Sequence, residues 1–278
     1  MKKKKILKRG GLYGALALFI IFSAGPFYVM LISMFKRNSD LMNPNSNPFF
    51  FTQSPTLSQL KFLFTQSLYP TFFLNTTLVG VAVVAITLAI CVPAAYSLAR
   101  LAGTWGQYLG IGIFLTYLIP PTLLFIPMAK VVSILHLQNS LWSLILTYPT
   151  FTLPFCTWLM MGFFVSIPKE IEEQAMIDGC SRFGAFLKVL LPLGIPGMVT
   201  VVVFAFSLVA NEYIYALAFI QNSTKTIGIG VTTELIRGDV FYWGALLGGA
   251  LIAAIPVAIV YTAFLDRIIK GLSMGAAE

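Results

Sequence analysis

The chain is poor in the residues that most enzymes rely on. It has one histidine (His136), three cysteines (Cys91, Cys156 and Cys180) and ten acidic residues among 278. A single histidine in a short loop offers no His-Glu pattern for zinc. An odd cysteine count, with Cys91 and Cys156 inside apolar segments, suits neither a metal cage nor a disulfide framework. No Gly-Lys dipeptide occurs anywhere, so a Walker-type phosphate loop is excluded and ATP hydrolysis of that kind cannot reside here. Little is left from which to build a catalytic constellation.

Charge is scarce and apolar residues are abundant. Charged residues make up 10% of the chain and hydrophobic ones 58%, even without glycine. Soluble domains run at about 25% and roughly 45–50%. So much apolar surface cannot be hidden inside a chain of this size; it needs lipid as solvent. The net charge of +8 raises nucleic acid as a partner, but its distribution argues against one. Lys2, Lys3, Lys4, Lys5, Lys8 and Arg9 stand directly before an apolar run, the usual flank of a membrane-inserting first segment. That run, residues 11–35, exceeds the roughly 7–15 apolar residues of a cleavable signal and reads as a retained helix.

A spanning helix needs about 20 mainly apolar residues. Six stretches qualify, at about 11–35, 75–99, 107–133, 141–165, 193–219 and 243–265. They predict an all-α membrane protein with six transmembrane helices in one domain over 11–270, a basic tail at 1–10 and a second tail at 271–278. Pro26, Pro93, Pro120, Pro121, Pro127, Pro149, Pro154, Pro196 and Pro256 lie within or at the ends of these stretches. Membrane helices tolerate proline where neighbours satisfy the freed carbonyls, so a kinked bundle is expected, broken most sharply at Pro120-Pro121. With both termini in the cytoplasm, twelve basic residues lie inside and six outside, as the positive-inside rule asks. Lys36 and Arg37, just beyond the first stretch, run against it. Two outer segments are long. Residues 36–74 hold a turn-rich run from Asn43 to Pro48, then an amphipathic run, Thr56 to Phe73, suited to lie along the outer surface. Residues 220–242 are polar.

The informative segment is the loop at 166–192. It holds four of the ten acids, Glu170, Glu172, Glu173 and Asp178. Pro168 followed by acids starts a helix, because proline suits the first turn and carboxylates suit its positive end. Ile171, Ala175 and Met176 or Ile177 form a small apolar stripe. Gly179 ends or sharply turns the helix. Ser181 can cap a second one, with Phe183, Phe186, Leu187, Leu190 and Leu191 as its greasy face and Pro192 closing it at the membrane edge. The segment reads as a helix–turn–helix projecting from the membrane, a shape that another protein's groove can grip. The other reading is a connector whose apolar face packs only on its own bundle.

The same residues carry a resemblance. Glu173, Ala175 and Gly179, then Val189, Leu191 and Pro192, are similar to the signature of binding-protein-dependent ABC importer permeases: Glu-Ala-Ala, three residues, Gly, nine residues, Ile-x-Leu-Pro. Asp178 precedes the glycine, as is frequent in that family; Gln174 replaces the middle Ala and Val189 the Ile. The six stretches and the closing Lys270 to Gly275 resemble most the MalG type of carbohydrate importer permease. The resemblance implies a type I importer permease fold in which this loop is the coupling helix, seated in a cleft of a cytoplasmic ATPase subunit and carrying ATP-driven closure into the bundle. Glu173 would contact the ATPase and Gly179 would permit the turn. The apolar positions through Leu191 would lock the loop to the bundle as a rigid lever. The resemblance further implies a second, MalF-like permease, an ATPase dimer holding ATP and Mg, an extracytoplasmic solute-binding protein and a sugar substrate. It implies no cofactor bound by this chain and no nucleic acid. The tail from Ser273 to Glu278 is similar to tails that reach the ATPase dimer.

Asn211-Glu212-Tyr213 lies in the outer half of the fifth stretch, and an ionisable residue at membrane depth is a functional hypothesis by default. Asn211 and Glu212 can bond sugar hydroxyls, and Tyr213 or Tyr215 can stack on a sugar ring. The other reading is packing and hydrogen bonding with the partner permease. Tyr117, Tyr148 and Trp158 either line a pathway or form core and interface belts, and Gly244 with Gly248 allows close helix contact. The alternative function, a self-sufficient secondary transporter, calls for inverted repeats and buried ion-coupling carboxylates. No repeat is visible, and Glu212 is essentially the one candidate carboxylate.

Overall fold

A computed structural model of the chain describes residues 2–237 and 240–274. Helices dominate. In chain order they are α1 (Lys2–Phe35), α2 (Asn38–Leu41), α3 (Ser58–Thr65), α4 (Tyr69–Tyr96), α5 (Gly103–Tyr117), α6 (Pro121–Ile134), α7 (Leu141–Thr147) and α8 (Pro149–Ser166). There follow α9 (Lys169–Ile177), α10 (Arg182–Ala185), α11 (Leu191–Leu193), α12 (Ile195–Asn211), α13 (Ile214–Phe219), α14 (Ile227–Glu234) and α15 (Trp243–Met274). Two five-residue π-turns, Ser97–Leu101 and Phe186–Leu190, extend α4 and join α10 to α11. A small antiparallel pair, β1 (Ile236–Arg237) and β2 (Val240–Phe241), sets Ile236 opposite Phe241. The chain divides into two compact units, Met1–Pro70 with Gly230–Ile255, and Thr71–Ile229 with Pro256–Glu278.

Among the described residues, three helices are long and apolar enough to cross a membrane: Gly11–Phe35, Tyr69–Leu101 and Leu141–Ser166. Two expected stretches are broken. Residues 107–133 are two helices, Gly103–Tyr117 and Pro121–Ile134, bent by 86°. Proline at the first position of α6 starts a helix but cannot continue one, so the break falls where Pro120-Pro121 placed it. The stretch 193–219 is divided at Glu212 into α12 and α13, and a 67° bend separates Arg182–Leu193 from Ile195–Asn211. The sixth stretch lies within α15 (Trp243–Met274), which is apolar over Trp243–Ile259. Counting each bent pair as one span gives up to five among the described residues, α15 not included. The amphipathic run Thr56 to Phe73 contains two helical segments, the short α3 and then the start of α4 at Tyr69. Residues 275–278 of the expected second tail lie outside the described residues.

In the second unit, helix pairs close on small residues and satisfied hydroxyls. Thr76 and Thr77 donate to the carbonyls of Phe72 and Phe73 one turn earlier. Thr87 and Thr152 share a buried hydrogen bond of 2.8 Å between α4 and α8, a polar tie of the kind membrane helices use. One apolar core gathers Cys91, Ala95, Met160, Phe164, Phe186, Leu190 and Ala205. A second gathers Val79, Val83, Leu144, Tyr148, Tyr215 and Ile229.

In the first unit, Lys36, which runs against the expected charge bias, has partners close by. Its side chain is buried, 3.8 Å from Asp40 one turn on, and donates to the carbonyl of Asn47. The Thr52 hydroxyl donates to Asp40 and, with Lys36 nearby, holds the Asp40 carboxyl below its ordinary value of 3.8 against the opposing effect of burial. A carboxyl with a lowered value contributes stability above the ordinary value and loses it as pH falls through the lowered one. The lysine is thus paired with Asp40 one turn on. In the same unit, Gly244 and Gly248 of α15 do provide close contact, facing Gln59 and Ser33, and Met34.

Candidate functional site

Pro168 is extended (ψ 137°), and α9 begins at Lys169 with Glu170 and Glu172 in its first turn, where carboxylates meet the unpaired amides. The helix ends in a Schellman arrangement: the Cys180 amide donates to the Ala175 carbonyl (3.0 Å) and the Gly179 amide to Met176 (3.1 Å). This requires a left-handed residue, and Gly179 supplies φ +91°. Ser181 caps α10, its hydroxyl accepting from the Gly184 amide at 3.1 Å. Caps and turn therefore stand where the sequence placed them.

The expected apolar stripe of α9 is divided between two faces. The inward stripe of α9 is Glu172, Ala175 and, partly, Met176. Ile171 and Ile177 point outward, Ile177 with 83% exposure. The reason is that Glu172 finds partners inside. Its carboxylate accepts from the Tyr96 hydroxyl at 2.6 Å and lies 3.5 Å from the Arg100 guanidinium. Arg100 also donates to the carbonyl of Ile167, at the elbow between α8 and α9. The second half of the loop divides as well. Phe186 and Leu190 enter the core, Val189 and Leu191 pack partly against it, and Phe183 and Leu187 remain exposed. The π-turn over 186–190 shifts the helical phase, which a regular 3.6-residue extrapolation does not anticipate.

Of the expected coupling residues, Glu173, Asp178, Gly179 and Pro192 are exposed, Ala175 is buried, and Val189 and Leu191 are half-buried. Glu173 also borders a polar cleft of about 190 Å³, with Arg100, Lys169, Glu172, Met176 and Arg182. The outer face of the loop therefore carries acids beside exposed Ile171, Ile177, Phe183 and Leu187.

Glu212 sits at the break between α12 and α13. Its carboxylate accepts from the Tyr148 hydroxyl (2.8 Å) and from the amides of Tyr215 (2.9 Å) and Ala216 (3.1 Å). Those amides are otherwise orphan donors of the first turn of α13. Asn211 is exposed, its amide donating back to the Ser207 carbonyl, and Tyr213 is exposed beside it. Tyr148 is fully buried and Tyr215 donates to the Pro121 carbonyl. Tyr117 and Trp158 belong to a ring cluster with Phe114, Phe155 and Phe204, Phe155 and Phe204 stacking at 4.0 Å between ring centres.

Residues 91–274 match the family described as the binding-protein-dependent transport system inner membrane component. The chain belongs to that family. This permease is 30% identical over 279 residues to the inner membrane ABC transporter permease protein YcjP of Escherichia coli (strain K12), covering 99% of this chain and 98% of that one. It is 34% identical over 230 residues to the sulfoquinovosyl glycerol transport system permease protein SmoH of Agrobacterium fabrum, covering 82% and 80%. Its fold matches a chain in the crystal structure of a bacterial ABC transporter involved in the import of the acidic polysaccharide alginate. That match has a TM-score of 0.78 at 19% identity and covers 96% and 98%. The permease is thus a multi-pass inner-membrane protein.

The structure brings Glu173, Ala175, Asp178 and Gly179 of the permease together on one short helix and its turn, while Val189, Leu191 and Pro192 serve the return to α12. Asn211, Glu212 and Tyr213 stand together at a separate helix break. Sequence reasoning missed Glu172, Tyr96 and Arg100. One signal was available: Glu172 lies three residues before Ala175, on the same helical face.

Proposed function

We propose that this chain is the carbohydrate-translocating permease of an ATP-driven importer and that residues 166–192 couple it to the ATPase. The observation that carries the reading is the loop itself. A short acidic helix is stopped by a left-handed glycine, anchored by a buried inner face, and displays apolar side chains outward. Such a shape transmits force only if something grips it. The named partners are an ATPase dimer holding ATP and Mg, a second MalF-like permease, and an extracytoplasmic binding protein that delivers the sugar. Both termini then lie in the cytoplasm. The substrate is a mono-, di- or oligosaccharide or a sugar-like polyol phosphate; the names of the similar transport systems, for sulfoquinovosyl glycerol and alginate, support the class. Glu173 and Asp178 face the ATPase, Gly179 forms the turn, and Ala175, Val189, Leu191 and Pro192 seat the loop.

The test is sugar uptake into proteoliposomes holding the assembled complex. Uptake is expected to require ATP and binding protein and to survive collapse of ion gradients. Glu173→Lys should lower it on the order of tenfold, the scale of a coupling free energy, with membrane insertion unchanged. Uptake by the isolated chain, or normal uptake by the variant, would refute the reading.

A further inference from the structure

Glu172 needs an explanation of its own. It is a carboxylate 6% exposed, on the inner face of a helix whose other acids face outward. Its Arg100 partner is buried as well, with Nε lacking a hydrogen-bond partner among the described residues. Desolvating two charges in order to pair them often stabilises a fold no better than apolar packing would. What the pair does supply is position. Adjacent helical residues point about 100° apart, so holding Glu172 inward turns Glu173 outward.

The contacts around this carboxylate come from α4 and from the π-turn that extends it, and both carry on to other elements. Tyr96 ends α4, and its hydroxyl holds Glu172 of α9 at 2.6 Å. The ring of the same tyrosine lies 4.4 Å from Phe186, the first residue of the second π-turn, and meets Phe164 of α8 edge-on. Arg100, within the first π-turn, ties Glu172 to the Ile167 carbonyl. One tyrosine therefore holds both arms of the loop, through its hydroxyl and through its ring, and one arginine holds the elbow. Gly106 lets α5 close on that π-turn, where a Cβ would fall 1.9 Å from the Leu98 carbonyl oxygen. At 3.5 Å, Nε and the Glu172 oxygen stand just outside ordinary hydrogen-bond range, so a shift of α9 by about 0.5 Å closes the bond.

We propose that Tyr96, Arg100 and Glu172 form a polar latch that delivers the movement of the coupling loop to α4, and so act as positioning residues for transport. The inference rests on the reading of 166–192 as the coupling loop. Without the latch the loop still docks and ATP is still hydrolysed, but α9 turns about its own axis and the stroke is lost.

The experiment compares wild type, Y96F, E172Q and the exchange R100E/E172R in the full complex in proteoliposomes. It measures assembly, ATP hydrolysis and sugar uptake together. Y96F and E172Q should assemble and hydrolyse ATP within about twofold of wild type, while uptake per ATP falls on the order of tenfold. The exchange should recover part of that ratio. An unchanged ratio in Y96F and E172Q overturns the latch while leaving the importer reading intact. Loss of assembly in Y96F, which removes only a hydroxyl, also overturns it, because the contact then builds the subunit instead of transmitting motion. A wild-type complex without ATP-driven uptake overturns the importer reading, and the latch with it.

Discussion

Glu172 and Glu212 both turn their carboxylates to tyrosine hydroxyls, Tyr96 at 2.6 Å and Tyr148 at 2.8 Å, yet their surroundings differ. Glu172 faces a guanidinium. Glu212 has two backbone amides, so its charge is held by the start of α13. Replacing Glu212 by Ala orphans the buried Tyr148 hydroxyl together with those amides. An unsatisfied buried group costs about 1–3 kcal/mol, so E212A should lower the thermal unfolding temperature of the purified permease. E212Q keeps an acceptor oxygen and should fall about half as far. If E212A unfolds like wild type yet loses sugar uptake, the carboxylate serves the substrate and not the helix start.

At the scale of the element, α9 depends on one backbone conformation. A Cβ at Gly179 would meet nothing within 4 Å, so the space is open and only φ +91° resists substitution. Left-handed backbone costs an ordinary L-residue roughly 1–2 kcal/mol and Asn less. Uptake should therefore fall in the order Gly, Asn, Ala at this position. Equal uptake by all three would mean that the turn can be made another way. This turn was legible from sequence because Gly179 and Ser181 act locally, through their own backbone and the next few amides. The Pro120-Pro121 break was legible for the same reason. The inner face of α9 was not: the apolar stripe of Ile171, Ala175 and Met176 or Ile177 leaves Glu172 out, and only a distant pair, Tyr96 and Arg100, makes an inward Glu172 tolerable. The division of the fifth stretch was hidden likewise, because Glu212 was read as a side chain looking for a ligand when it also closes a helix end. The two π-turns left no mark in a 3.6-residue pattern, so Leu187 seemed to belong to the core.

For the whole molecule, the native cysteines give a probe of orientation. Cys91 and Cys156 are fully buried in an apolar core, whereas Cys180 is half-buried, just past the turn at Gly179. A membrane-impermeant maleimide needs both water and access, so the wild-type chain should be labelled once, at Cys180, and C180S should remove the label. If both termini and the loop face the cytoplasm, labelling occurs in inside-out vesicles and not in right-side-out ones. An ATPase seated on Ile177, Phe183 and the acidic face of α9 would cover the same thiol. Adding it back to stripped vesicles should then slow labelling on the order of tenfold, while the rate for the denatured chain stays the same. Labelling from the outer side would reverse the whole topology. Labelling from the inner side that the ATPase leaves untouched would keep the topology but remove the loop from the ATPase contact.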